Sequence, residues 1–182
     1  HFTQFDRKDY ALAMSINSEI LLSGSGSLPW IMTEIQGGNN TYSSNHPMCP
    51  TKEEITQWLW TIIGTESKGG IFWSLNARAS GVESGEWAML DFQHQPTDRV
   101  NAAKKVSECI AENQAIFKDL KKVDSKINLL YVRESIWAEH VITRSTPAAE
   151  DGRKIGLKDL IGYYKAISEM GISANIKAFE EF

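Results

Sequence analysis

Trp30-Ile31-Met32-Thr33-Glu34-Ile35-Gln36-Gly37-Gly38 is the stretch on which the reading of the fold turns. An apolar run, Leu28 to Met32, leads into a carboxylate, Glu34, and then into an amide and two glycines. That is the profile of a strand that leaves a core and ends at a polar rim, with a flexible turn behind it. Loops held on such a scaffold carry chemistry, so Glu34 is placed as a catalytic carboxylate would be. The alternative is a solvated glutamate at an ordinary strand end.

A second run, Gly69-Gly70-Ile71-Phe72-Trp73-Ser74-Leu75-Asn76, also passes from apolar to polar, and the loop Ala77 to Asp91 behind it holds Arg78, Glu83, Glu86 and Trp87. Between the two runs lies a helix. Pro47 and Pro50 end the preceding loop, and Thr51 with Glu54 three residues on forms a capping box. Ile55, Trp58, Leu59, Ile62 and Ile63 then recur at helical spacing and give one apolar face. Strand, helix, strand makes a βαβ unit with its functional loops on one side. In a (β/α)₈ barrel those C-terminal strand ends form the active-site face.

Outward from this unit, Asp9 to Leu22 reads as a helix with a Leu12, Ile16, Ile20 stripe, stopped by Ser23-Gly24-Ser25-Gly26-Ser27. Thr97 to about Lys121 reads as one long helix with Val106, Cys109, Ile110, Asn113, Ile116, Phe117 and Leu120 along one face. After Val123 the pattern changes. Ile127 to Val132 is a buried strand, followed by a loop with Pro147, Asp151 and Gly152. Leu157, Leu160, Ile161, Tyr164 and Ile167 mark a helix stopped by Gly171, and Ile172 to Phe179 reads as another strand. This order opens a doubly wound α/β domain, so two domains are expected, 1–122 and 123–182.

The chain has 182 residues, 42% apolar and 10% aromatic, and is globular in composition. A full barrel takes about 250 residues, and the chain begins His-Phe, so it reads as a fragment of a larger protein. A net charge of -4 and a pI near 5.6 argue against phosphate or nucleic-acid binding. No apolar run is long enough to span a bilayer, which excludes a membrane role of that kind. No Gly-x-Gly-x-x-Gly follows the strand at Ile127, so no dinucleotide cofactor is expected. His46 and Cys49 have a ligand-like gap, but zinc needs three or four ligands and no partner pair is in sight, so no metal is expected. Cys49 and Cys109 pair only if the fold brings them together.

Met32-Thr33-Glu34-Ile35-Gln36-Gly37, then Asn45-His46-Pro47 and Pro50, the Trp-rich helix, the Phe-Trp strand and Glu83 before Leu90-Asp91 resemble the last third of a family forty-two β-galactosidase barrel, over roughly Phe5 to Ile110. In that family the seventh strand ends in the nucleophilic glutamate, inside a Met-Glu-x-Gln-x-Gly pattern that this chain matches with one inserted residue. The resemblance implies an α/β fold, the C-terminal portion of a TIM barrel followed by the start of a flavodoxin-like domain that takes part in oligomer formation and binds no cofactor. It implies a retaining glycoside hydrolase acting on galactosides, with Glu34 as nucleophile and a homo-oligomeric state. Glu83 falls on a position that contacts galactose, while Glu86 stands where the family has a histidine, which leaves sugar specificity open.

Retaining enzymes hold two carboxyl groups roughly 5–5.5 Å apart. The family's acid/base lies in an Asn-Glu pair, and no such dipeptide occurs here, so the resemblance implies a partner upstream unless Glu83 or Glu86 fills the role by an unusual route. Sugar faces pack on indoles, which makes Trp30, Trp73 and Trp87 candidates beside Gln36, Asn76, Glu83 and Glu86, although Trp30 and Trp73 lie within strands, where filling the barrel core is an equally good reading. A non-catalytic carbohydrate-binding or assembly protein that keeps a degenerate barrel is the other reading.

Overall fold

The computed structural model describes residues 7–42, 47–144 and 155–181. The expectations on Phe5, Asn45, His46, Pro147, Asp151 and Gly152 lie outside them. The chain divides into two compact units, His1–Ser18 with Pro29–Lys122, and Glu19–Leu28 with Val123–Phe182.

Elements of the first unit begin with helix α1 (Tyr10–Ser25), whose later residues belong to the second unit. It runs through Ser23-Gly24-Ser25 rather than stopping before them, with Ser25 Oγ bonded to Leu22 O. Strand β1 (Met32–Gln36), helix α2 (Lys52–Gly64) and strand β2 (Gly70–Trp73) follow, with β1 and β2 parallel neighbours. The capping box at α2 forms in both directions: Glu54 N donates to Thr51 Oγ1 at 3.2 Å and Thr51 N to Glu54 Oε2 at 2.8 Å. Ile55, Trp58 and Ile62 of α2 and Ile35 of β1 are completely or almost completely buried. Each such side chain contributes about 1.5–3 kcal/mol by leaving water. Gly70 opposite them has no room for a Cβ, which would stand 2.4 Å from Ile35 Cδ1.

Pairing in this sheet shows how its faces are assigned. Met32 aligns with Gly70 and Ile35 with Phe72, so β1 carries one residue more than β2 between these points, a bulge. Met32 and Ile35 are both buried, whereas Thr33 and Glu34 are exposed.

The single long helix expected after Thr97 is two helices. Helix α3 (Asp98–Glu112) ends at Asn113, whose side-chain amide bonds Cys109 O at 2.8 Å, and the short helix α4 (Gln114–Phe117) follows. An asparagine that bonds its own preceding turn ends the helix there, and Ile116 points to solvent. Phe117 stacks on Trp60 of α2, ring centroids 5.8 Å apart. Glu66, just past α2, receives Lys121 Nζ at 2.7 Å and Lys122 N at 3.0 Å. Burial raises its carboxyl, and these two donors outweigh burial and hold it below the ordinary carboxylate range.

In the second unit, strand β3 (Asn128–Tyr131) pairs in parallel with strand β4 (Asn175–Ala178). Both are shorter than the apolar runs that mark them. Two helices lie between them, α5 (Arg133–Arg144) and α6 (Ile155–Glu169). Helix α5 replaces the start of the expected loop. It follows β3 with one residue between them, and its Trp137, Val141 and Ile142 are exposed. Gly171 stops α6 as expected, at φ 71°, with Ile172 N reaching back to Ile167 O. Leu160, Tyr164, Ala174 and Ile176 form the core. Buried Asn175 donates to Asp124 Oδ1, Ser125 O and Asn128 Oδ1, and Ala178 N donates to Ser23 Oγ at 2.8 Å.

Among the described residues no helix is long and apolar enough to cross a membrane.

Candidate functional site

Side chains alternate along a strand, so residues paired in a parallel ladder point the same way. Ile35 and Phe72 face α2 and α3. Glu34, Gln36, Ile71 and Trp73 therefore occupy the opposite face, where Ile71 is 55% and Trp73 40% exposed. Glu34 lies two residues before the end of β1 rather than at its tip. It is exposed on the open face, within one strand spacing of β2.

Behind β1, Gln36 Nε2 donates to Gly38 O at 2.9 Å and to Met48 O at 3.4 Å. Buried Asn40 and Met48 close the loop on itself through Asn40 N to Met48 O and Met48 N to Asn40 Oδ1. The two glycines are needed for close approach. A Cβ on Gly38 would lie 2.3 Å from Ala88 O, and one on Gly37 2.7 Å from Trp87 O. The loop after β2 thus packs main chain on main chain against the loop after β1. Gly37 N donates to Trp73 O, Trp87 N to Asn39 O, Ser74 N to Trp87 O and Met89 N to Ser74 O.

Trp73 ends β2, and the Trp73–Ser74 peptide is cis. The Arg78 guanidinium sits 5.0 Å over its ring and also pairs with Glu83 at 2.9 Å, which brings two residues of the loop against the end of β2. Asn76 is exposed, its carbonyl accepting from Ser74 Oγ. Glu86 is a different kind of residue from Glu83. It is 1% exposed, and its carboxylate accepts from Tyr42 N, so it ties the two loops from within. Trp87 is half-buried at φ 64°, its main chain bonded on both sides. A non-glycine residue there is uncommon and is held by the surrounding bonds.

Trp30 does not join this group. It precedes β1 at the opposite end of the strand, is 7% exposed, and its Nε1 donates to Thr65 O at 3.0 Å. It is a core tryptophan, and its reading as a sugar platform is withdrawn. An apolar groove of about 890 Å³ lined by Leu59, Ile62, Phe72, Val106, Ile110 and Phe117 lies on the helix side of β2, away from Glu34. Cys49 and Cys109 are both free thiols. Among the described residues no group of three or more His, Cys, Asp and Glu side chains could hold a metal ion.

One residue of this region has no signal in the sequence. Arg99, in the first turn of α3, donates Nε to Gly37 O at 2.7 Å and Nη2 to Ala88 O at 2.9 Å. A cation in the first turn opposes the helix dipole at a cost of about 0.3–1 kcal/mol, so local preference does not account for it. Charge-assisted bonds contribute about 1.5–3 kcal/mol each and offset that cost.

No protein-family model matches this chain, and no curated protein matches it. Solved structures do. The β-galactosidase of the psychrophilic Marinomonas ef1 superposes with a TM-score of 0.70 at 18% identity, over 96% of this chain and 27% of that one. That of the Antarctic haloarchaeon Halorubrum lacusprofundi gives 0.70 at 17%, over 92% and 23%. A GH42 β-galactosidase from G. stearothermophilus gives 0.72 at 16%, over 94% and 24%. The chain spans about a quarter of the length of these proteins. At such identities the likeness is one of fold: a mixed α/β arrangement similar to part of a β-galactosidase.

Proposed function

We propose that this chain is the C-terminal part of a TIM-barrel glycoside hydrolase, β-galactosidase-like and retaining, followed by the start of a flavodoxin-like domain. Domain limits near 1–122 and 123–182, a homo-oligomeric state and a galactoside substrate belong to the same reading. The observation that supports it best is the placement of Glu34 and Trp73 on neighbouring strands. They share the open face of two parallel strands, close to the strands' C-terminal ends, in a chain whose fold is like that of β-galactosidases.

In this reading Glu34 is the nucleophile. Its carboxylate oxygen attacks the anomeric carbon as the glycosidic C–O bond breaks, and the departing oxygen takes a proton from a carboxylic acid upstream of this chain. The same group then removes a proton from water, which displaces the sugar from the Glu34 ester and restores the carboxylate. Trp73 and Trp87 offer ring faces to the sugar, and Gln36, Asn76 and Glu83 offer hydrogen bonds. Glu86 takes a supporting part, because its carboxylate is buried and bonded to Tyr42 N.

The test is Glu34→Gln in the whole barrel protein, assayed on a panel of nitrophenyl glycosides. Turnover of the galactoside is expected to vanish with the folded state intact, because an amide forms no glycosyl ester. Undiminished turnover in the variant, or a parent inactive on every glycoside, overturns the reading.

A further inference from the structure

We propose that Arg99 is a positioning residue, a brace that holds the main chain behind Glu34 against the main chain behind Trp73. Its effect on turnover rests on the function proposed above; its effect on the two loops does not. Three observations converge on it. Its guanidinium reaches both segments at once, Gly37 O through Nε and Ala88 O through Nη2. Gly37 stands three residues beyond Glu34, and Ala88 adjoins Trp87, whose carbonyl accepts from Ser74 N, the residue after Trp73. The segments themselves are cut for the contact, since Gly38 leaves no space for a Cβ beside Ala88.

Both bonds of Arg99 go to main-chain carbonyls, which have the same charge distribution at every pH where the protein folds. The brace is therefore constant rather than switched. Only a planar fork with separated donors spans two carbonyls on different segments; a lysine ammonium reaches one of them. The consequence for chemistry is geometric. A nucleophile displaced by about 1 Å loses turnover far more than it loses ground-state binding, up to about 100-fold.

The experiment uses Arg99→Gln, Arg99→Lys and, as a control on the exposed face of α3, Lys104→Gln, all in the full protein. Amide hydrogen exchange is followed at Gly37, Trp87 and Met89, and kcat and KM are measured on a nitrophenyl galactoside. In Arg99→Gln, exchange at these amides is expected to quicken by on the order of tenfold, with α2 amides unchanged. The kcat is expected to fall roughly 10- to 100-fold with KM within about twofold. Arg99→Lys, which keeps one bond, should recover part of both, and Lys104→Gln should match the parent. Unchanged exchange in Arg99→Gln overturns the brace, and quickened exchange with unchanged kcat overturns its positioning role. Quickened exchange in Arg99→Gln, with a parent that hydrolyses no glycoside, supports the brace and removes the hydrolase reading instead. If Arg99→Gln does not fold, Arg99→Lys carries the same comparison at half the lost bonding.

Discussion

Gly38→Ala tests the interlocked loops directly, because the new methyl group meets main chain and not a movable side chain. The added Cβ would stand 2.3 Å from Ala88 O and 2.7 Å from Ala88 N, and real Cβ atoms essentially never approach within 3.0 Å. Relief to that limit takes about 0.7 Å of backbone movement, which no rotamer change supplies. Overpacking of this kind costs about 1–3 kcal/mol. The movement also strains the bonds from Trp87 N to Asn39 O and from Arg99 Nη2 to Ala88 O, 2.6 and 2.9 Å long. Losing the first adds about 1 kcal/mol and losing the second, which is charge-assisted, about 1.5–3 kcal/mol. The expected total is therefore roughly 2–7 kcal/mol, or about 5–25 °C in Tm for a chain of this size. Tryptophan emission during urea unfolding is a suitable probe, since Trp30, Trp58, Trp60, Trp73 and Trp87 all lie in the first unit. A Gly38→Ala chain within about 0.5 kcal/mol of the parent, the ordinary range of surface changes, would mean that the loops do not meet as described.

Gly162→Ala should do the reverse: a Cβ there meets nothing within 4 Å in the exposed interior of α6. Stability of the second unit should rise by about 0.5–1 kcal/mol in a thermal melt followed by circular dichroism. Glu66→Gln should destabilise the first unit by at most about 1 kcal/mol, since Lys121 is exposed. The folded Glu66 carboxyl lies below the ordinary carboxylate range, so this contribution is present above that range and is lost as pH falls through the folded value. Melting curves of parent and variant should converge in acid, and a gap that widened there would refute the assignment. Glu83→Ala should lower kcat/KM on galactosides roughly 10- to 100-fold, while the lost pair with Arg78 costs no more than about 1 kcal/mol of stability. A loss confined to stability would make Glu83 structural.

What the sequence disclosed, it disclosed through local rules. Thr51 and Glu54 announce α2 because both halves of the capping box lie three residues apart, and Ile55, Trp58 and Ile62 repeat with the turn of the helix that buries them. The apolar runs at Met32 and Ile71 announce β1 and β2 in the same local way. What stayed hidden depends on distant partners. Trp30 belongs to an apolar run that looks like strand, yet its place is fixed by Thr65, thirty-five residues away. The roles of Arg99 and Glu86 are set by carbonyl and amide groups 62, 11 and 44 positions off, and neither spacing nor composition carries that information. Helix α5 escaped because it follows β3 after Val132 alone, with no capping residue or breaker between them to announce a new element.

The bulge in β1 bears on how this strand is compared with its relatives. Upstream of it, Met32 is in phase with the core; downstream, Glu34 and Gln36 are in phase with the open face, and one extra residue lets both hold. A strand built this way has two reading frames joined at a seam. Aligning it without a gap onto a Met-Glu pattern sets Thr33 against the glutamate and makes the chain look as if its carboxylate were lost. With the gap at the seam, Glu34 takes that column, as the function proposed for this chain requires, and the ladder partners Gly70 and Phe72 mark where the gap belongs.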